Sequence, residues 1–524
     1  MNYADLFRVT LPETALEIAA LLVLVVDLGF LRKAALKTRV TIAALIGVAG
    51  CGAALWALQA QCSSGLTLDS SLDLLLATGG LVAIAQAGIL VLTALTLLLL
   101  VDSVFTRHVG EFAAVVLMAA AGGLLVAGAQ DLLVIFVGLE LLSLSLYIMT
   151  AFAKSSHKSA EAALKYYLFG GMSAAFLLFG FSYLYGLSGS TNLTMIEQNI
   201  PHGSTPLLYV AWVLIVAGLG FKVAAVPFHL WAPDTYEGAP APAAAFIASG
   251  SKVASFALLL NISYGLFQPG KEWSGPPRLL DEIFRTEFAI WQPLLIVLIV
   301  VAAASMIVGN LAALAQISVR RLLAYSAIAH AGYILLGIAV RRPYPGHGDS
   351  LRFVLDSFSS AQTSTNAVLY YILTYGLTTI GAFGVVSVVE RATGSDKLDA
   401  FLGLHKRNPL LAAVLLVLFL SLAGIPPLVG FWAKFNLFAA VLGVSAGPIP
   451  FALVALAVAL SAVSLFYYLQ VLKRAYVMPA VDETPIHAHP VTMAVLIVIA
   501  AAVVLLGVFP TLLQNWIQSF YPVL

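Results

Sequence analysis

Three ionisable residues stand in runs where charge is expensive: Glu140 in DLLVIFVGLELLSLSLYIM, Lys222 in AGLGFKVAAVPFHLW and Lys252 in AAAFIASGSKVASFALLL. A charge near the centre of a bilayer costs several kcal/mol, so such residues are rare and usually functional. Their spacing puts them at one depth. Lys222 lies nine residues before Trp231, or about 13 Å of helix. Lys252 lies twelve residues after Pro240, or about 18 Å measured from the same side. Glu140 lies nine residues into its run, or about 14 Å from the opposite face. In a hydrocarbon core roughly 30 Å thick, all three fall near the midplane. A carboxylate near buried ammonium groups is a device for holding and releasing protons, because the pairing decides how tightly each lysine keeps its own. The competing reading is an ion pair that only locks helices together.

A fourth charge, Lys434, follows Pro426 and Pro427 in SLAGIPPLVGFWAKFNLF. Pro227 likewise follows Lys222 by five residues. Proline removes a backbone donor and breaks or kinks a helix. Two proline-broken helices, each with a lysine beside the break, point to the inverted repeats of transporters. The only recurring side chains are Pro227-Phe228-Trp231 and Pro427-Phe431-Trp432. Histidine titrates near neutrality and suits a proton path between fixed charges. His229 lies seven residues after Lys222, on roughly the same face of an unbroken helix, and His330 lies in RRLLAYSAIAHAGYILLG. Each has the alternative of a hydrogen-bonded packing histidine. Lys165, beside Glu161, is either an entrance or a snorkelling lysine. Asp27 has no evident partner and stays unassigned; His347 reads as a solvated loop residue.

The elements that position these groups are membrane helices. The chain has 524 residues, 61% hydrophobic and 10% charged, so it is an all-α polytopic membrane protein. Spanning runs fall at about 14–31, 39–60, 80–101, 111–129, 131–152, 163–187, 207–231, 241–267, 289–313, 320–340, 364–390, 410–443, 449–473 and 490–512, which is about fourteen transmembrane helices. Trp231 to Pro240 reads as a polar turn joining the two lysine helices. The expected organisation is an N-terminal three-helix segment at 1–110, two inverted five-helix units at 111–267 and 289–473, and a last span at 490–524. Five is odd, so the second unit must be upside down relative to the first.

Sixteen lysines and arginines fall in the loops after odd-numbered spans and seven on the other side. That bias puts the odd loops in the cytoplasm and both termini outside. The loops at 268–288 and 341–362 run against it, with three positives each. Met1 to Glu13 shows no cleavable leader. The net charge of +1 offers no basic face for nucleic acid. Two cysteines, Cys51 and Cys62, are too few to hold an iron–sulfur cluster within the chain. No P-loop or dinucleotide fingerprint follows a strand; Gly218-Leu-Gly220 lies in a membrane helix and reads as helix packing. Any redox chemistry therefore belongs to another protein.

Four stretches carry a resemblance: Phe221-Lys222 with VPFHLWAPDTYEGAPAP after it, EAALKYYLFGG at 161–171, GNLAALAQISVRRLLAYSAIAHAGY from Gly309, and GIPPLVGFWAKF at 424–435. Together they resemble the subunit N (subunit 2) family of proton-pumping NADH:quinone oxidoreductase, respiratory complex I. The matches cover roughly 110–475; the first three spans and the last match in hydropathy only. Subunits L and M and Mrp-type antiporter subunits share the lysines. They typically carry a methionine–glutamate–glycine–proline run where this chain has Tyr236-Glu237-Gly238-Ala239-Pro240.

The resemblance implies a glutamate–lysine pair, a central lysine and an exit lysine for proton translocation, which here are Glu140, Lys222, Lys252 and Lys434. His229 and Lys165 also match positions the family uses, and His330 joins them as an accessory residue of the path. It also implies a translocase subunit with no cofactor or metal of its own. Flavin, iron–sulfur clusters and quinone are expected in partners. Those partners are the other membrane-arm subunits, antiporter-like subunit M and small subunits K, J and A, in the lipid bilayer of a bacterial inner membrane. The alternatives are an Mrp-type cation/proton antiporter subunit and a structural membrane subunit that does not pump.

Overall fold

The computed structural model describes residues 3–63, 75–103, 105–200, 206–266, 277–339, 350–444, 448–480 and 483–520, without side chains for 3–4, 264–266, 277–293, 350–362 and 444. Among these residues regular structure is helical, with three isolated antiparallel bridges and no strand. The helices of the first half are α1 (Tyr3–Val9), α2 (Leu11–Val25), α3 (Leu36–Ser63), α4 (Gly80–Leu100), α5 (Val109–Gly128), α6 (Leu132–Thr150), α7 (His157–Ser188), α8 (Leu193–Asn199), α9 (Pro206–Val223), α10 (Trp231–Gly238), α11 (Ala241–Ala248) and α12 (Gly250–Leu266). The rest are α13 (Pro277–Leu314), α14 (Val319–Ala339), α15 (Ser350–Thr393), α16 (Leu404–Arg407), α17 (Pro409–Ala423), α18 (Val429–Val444), α19 (Pro448–Tyr476), α20 (Pro490–Val508) and α21 (Pro510–Ser519).

Among the described residues twelve spans are long and apolar enough to cross a membrane, counting α11 with α12 as one, and α17 and α18 are shorter apolar helices. The run read at 14–31 folds as α2 prolonged by a π-helix at Val26–Phe30. The adjoining runs at 111–129 and 131–152 are two separate helices, α5 and α6. Asp131 separates them by capping α6, accepting bonds from the amides of Leu133 and Val134, as short polar side chains do at helix starts.

Both proline breaks form where expected. α9 ends at Val223, one residue past Lys222, and Ala224 takes a left-handed φ of 58°. α17 ends at Ala423, where Gly424 at φ 88° lets the chain turn without a side-chain clash. A third break was not expected. It falls at Ser249 (φ −118°, ψ −83°), between α11 and α12 and three residues before Lys252. No proline marks it. The Ser249 hydroxyl bonds back to the Ala245 carbonyl at 2.6 Å, a local contact that competes with regular helix.

The expected turn at Trp231 to Pro240 is mostly the helix α10. Its apolar residues Trp231 and Tyr236 are buried, and its acids are held by neighbouring helices, as described below. The two long loops are also shorter than the hydropathy suggests. Helical backbone resumes at Pro277 and at Ser350, while His347 lies outside the described residues.

The spans differ in how deeply they sit. The apolar stretches of α11–α12 and of α14 are each 94% buried, against 22% for α19. The helices that carry Lys252 and His330 therefore form the centre of the bundle. Asp27 also finds its partner: Arg39 Nε and NH2 donate to its two carboxylate oxygens at 2.7 and 2.6 Å, and the Gly110 amide adds a third bond at 3.3 Å. The site ties the end of α2 to α3 and α5. A Cβ on Gly110 would stand 2.5 Å from Asp27 Oδ2, so only glycine allows the approach.

Candidate functional site

Lys222 occupies the last turn of α9 and is buried. Its ammonium donates to the Ser143 hydroxyl, and that hydroxyl donates to the Leu139 carbonyl. Glu140 stands three residues before Ser143 on α6, on the same helix surface. It is half-buried, close enough for its charge to act on Lys222, yet no ion pair joins the two. In this arrangement the direct partner of the lysine is a hydroxyl and the carboxylate is the second neighbour. Ser143 was missed in the sequence, where its one signal is its place one helical turn past the buried glutamate. Lys222 Nζ also lies 5.6 Å from the Phe221 ring centroid. The Trp231 indole donates to the Phe221 carbonyl at 2.9 Å and stacks on Tyr166 at 4.3 Å, which fixes the far side of the break.

Lys252, three residues past its own break, donates to the Val223 carbonyl at 3.1 Å and to the Ala327 carbonyl at 3.0 Å. Val223 is the last residue of α9, so Lys252 satisfies an orphan carbonyl at the negative end of that helix. Lys434 does the same in the second half. It donates to the Leu422 and Ala423 carbonyls at the end of α17, at 3.1 and 2.9 Å, and to the Ser461 hydroxyl at 2.8 Å.

One face of α14 joins the two lysines. Ala327, His330 and Tyr333 follow at intervals of three, so they share a helix surface. Ala327 accepts from Lys252, and the Tyr333 ring centroid lies 5.6 Å from Lys434 Nζ. His330, between them, bonds the Tyr371 hydroxyl through Nδ1 at 2.8 Å and lies within electrostatic reach of both ammonium groups. Lys222, Lys252, His330 and Lys434 therefore form one buried row through the bundle, with Glu140 at its outer end.

Lys165 and His229 do not join that row. Lys165 pairs with Glu161 and Asp234, each at 2.7 Å. Asp234 also meets Arg321 at 2.6 Å, and Glu237 meets Arg321 at 3.0 Å and Lys158 at 2.9 Å. This network clamps α10 between α7 and α14 and explains why a polar stretch with a proline folds as a helix. Burial pushes the Asp234 and Glu237 carboxyls up. Hydrogen bonds and charge from Lys165 and Arg321 at Asp234, and from Lys158 and Arg321 at Glu237, outweigh it and hold both below the usual range. His229 sits half-buried in the irregular segment at 224–230, and its buried Nδ1 has no partner among the described residues. Because α9 ends at Val223, the helical face it was to share with Lys222 does not form.

The chain matches the family model described as NADH:quinone oxidoreductase/Mrp antiporter, TM, over residues 129–274, 283–346 and 351–464. It is 46% identical over 524 residues to NADH-quinone oxidoreductase subunit N 2 of Acidobacterium capsulatum, covering 99% of each chain. The chain belongs to the subunit N family of NADH-quinone oxidoreductase. All seven candidate residues fall inside the matched ranges. The likeness to the Acidobacterium subunit N runs nearly end to end, so it takes in the first three spans and the last, where the motifs offered hydropathy alone. Among solved structures, a chain of respiratory complex I from Thermus thermophilus is 31% identical with a TM-score of 0.73, covering 96% of this chain and 98% of that one. A chain of the Mrp complex from Dietzia shares the fold at 21% identity, with a TM-score of 0.73 and coverage of 97% and 96%.

Proposed function

We propose that this chain is a proton-translocating membrane-arm subunit of an NADH:quinone oxidoreductase, and that its buried row carries the proton. The observation that carries the reading is the alignment of Lys222, Lys252, His330 and Lys434, each joined to the next through a helix end or through one face of α14. A buried ammonium close to a carboxylate keeps its proton more firmly than one without. Movement of Lys222 between Glu140 and Ser143 thus acts as the switch: near Glu140 it holds the proton, and on Ser143 it yields it towards Lys252, His330 and then Lys434. Lys165 serves the entrance from the α10 network, and His229 the mouth of the break. The oxidation of NADH and the reduction of quinone take place on cofactors of partner subunits, this chain holding none. Subunits M, K, J and A are the expected neighbours.

The two five-helix units at 111–267 and 289–473 form inverted halves of this path, in a bacterial inner membrane with both termini outside. Orientation is checked by cysteines introduced at Lys33, Arg391 and Ser190. An impermeant label in intact cells is expected to reach only the third. Labelling of the first two reverses every entrance and exit named here.

Two rivals separate cleanly from this reading. A stand-alone cation/proton antiporter predicts flux from the isolated chain in liposomes. A structural subunit predicts that charge-removing substitutions harm assembly but leave the pumping stoichiometry alone. The expected result is copurification with other membrane-arm subunits in mild detergent, no flux from the isolated chain, and fewer protons pumped per quinone reduced in an assembled Lys434→Met complex. Unchanged stoichiometry in that variant refutes the pumping role.

A further inference from the structure

The one bond that His330 makes decides which of its nitrogens can meet a passing proton. His330 is 4% exposed, Nδ1 lies 2.8 Å from the Tyr371 hydroxyl, and Nε2 is buried with no partner among the described residues. Tyr371 is 1% exposed, and among the described residues its hydroxyl makes this single hydrogen bond. The other groups facing the imidazole are Tyr375 at 4.7 Å and Tyr333 at 5.8 Å between ring centroids, with Lys252 and Lys434 in electrostatic reach.

Two arrangements of the pair are possible, because a neutral imidazole has one donor nitrogen and one acceptor. If Nδ1–H donates, the tyrosine hydroxyl hydrogen and the Nε2 lone pair are both left without a protein partner. If the tyrosine donates, Nε2–H and the acceptor capacity of the tyrosine oxygen are left. The counts are equal, but the second arrangement joins the stronger donor, the acidic phenol O–H, to the stronger acceptor, the basic imidazole nitrogen, and is favoured. We propose that Tyr371 is a positioning residue for proton transfer: its hydroxyl donates to Nδ1, holds the ring and fixes neutral His330 as the Nε2–H tautomer, so that Nε2 is the nitrogen presented to the lysine row. In this arrangement Tyr371 supplies no proton of its own and no proton enters at Nδ1, which its hydroxyl occupies; neutral His330 offers Nε2–H as a hydrogen-bond donor to a lysine of the row that has given up its proton. This rests on the reading of His330 as part of the proton path.

Tyr371→Phe keeps the ring and removes the hydroxyl. In the assembled complex it is expected to slow proton-coupled quinone reduction roughly three- to tenfold, with normal assembly on a native gel and a displaced pH–rate profile, which a packing role would not move. His330→Ala separates the two layers of the argument. If His330→Ala slows the coupled rate and Tyr371→Phe leaves both rate and profile untouched, the positioning role falls alone. If His330→Ala is also silent, the proton path through His330 falls and this proposal with it. A direct measurement stands even if Tyr371→Phe fails to assemble. In spectra of the complex with ¹⁵N-labelled histidine, the signal missing from His330→Ala is expected to show an unprotonated Nδ1 and a protonated Nε2. The reverse tautomer overturns the proposal.

Discussion

Lys222→Arg is expected to give a complex that assembles and yet pumps poorly, with coupled quinone reduction lower by roughly ten- to a hundredfold, as for loss of a group that transfers a proton. Arginine keeps the positive charge and pairs well with carboxylates. It can also donate to Ser143 and feel the charge of Glu140, the two neighbours of the native ammonium. What it cannot do is let its proton go, because the guanidinium stays protonated in proteins. The substitution therefore preserves every static role of the side chain and removes the dynamic one. Lys222→Ala, which removes both, is expected to be about as inactive. The wider guanidinium is the confound, so assembly is checked on a native gel first. Near-normal pumping by a well-assembled arginine variant makes Lys222 a fixed counter-charge and ends the carrier reading.

The largest loss of stability is expected from Arg39→Ala. Asp27 is 1% exposed and held by both arms of the Arg39 fork. Removing the arginine strands a carboxylate inside the N-terminal helices, and breaking a buried pair from one side costs about 3–5 kcal/mol. Taking away both charges costs far less, since nothing is then left unpaired. Thermal inactivation of the detergent-solubilised complex reads the difference. Arg39→Ala should inactivate at a clearly lower temperature, and Asp27→Asn combined with Arg39→Gln should recover most of the loss. A single variant as stable as the parent means the pair contributes nothing.

The all-helical membrane class and the two proline breaks were legible in the sequence because each follows from a one-dimensional rule: apolar length against bilayer thickness, and the missing proline donor. What stayed hidden depends on contacts between distant segments. The break at Ser249 carries no proline and is stabilised by a hydroxyl that turns back on its own helix. α10 read as a turn because its acids look solvated until Lys158, Lys165 and Arg321 arrive from two other helices. Asp27 looked alone because Arg39 sits across a turn, in the loop set aside for topology. Glu140 and Lys222 were read at one depth, and depth does not reveal that Ser143 stands nearer to the lysine.

The ends of α9 and α17 are each held by an ammonium group, Lys252 in one case and Lys434 in the other. Charge-assisted hydrogen bonds are about twice as strong as neutral ones. A proton that leaves either lysine thus loosens a fastening on the backbone as well as changing a charge, and a proton that returns tightens it. On the proposed path, proton occupancy and helix shape would be geared together at both breaks. A lysine in either place that kept its proton permanently would act as a locked hinge, and traffic along the row would be coupled to motion of the backbone without any separate moving part.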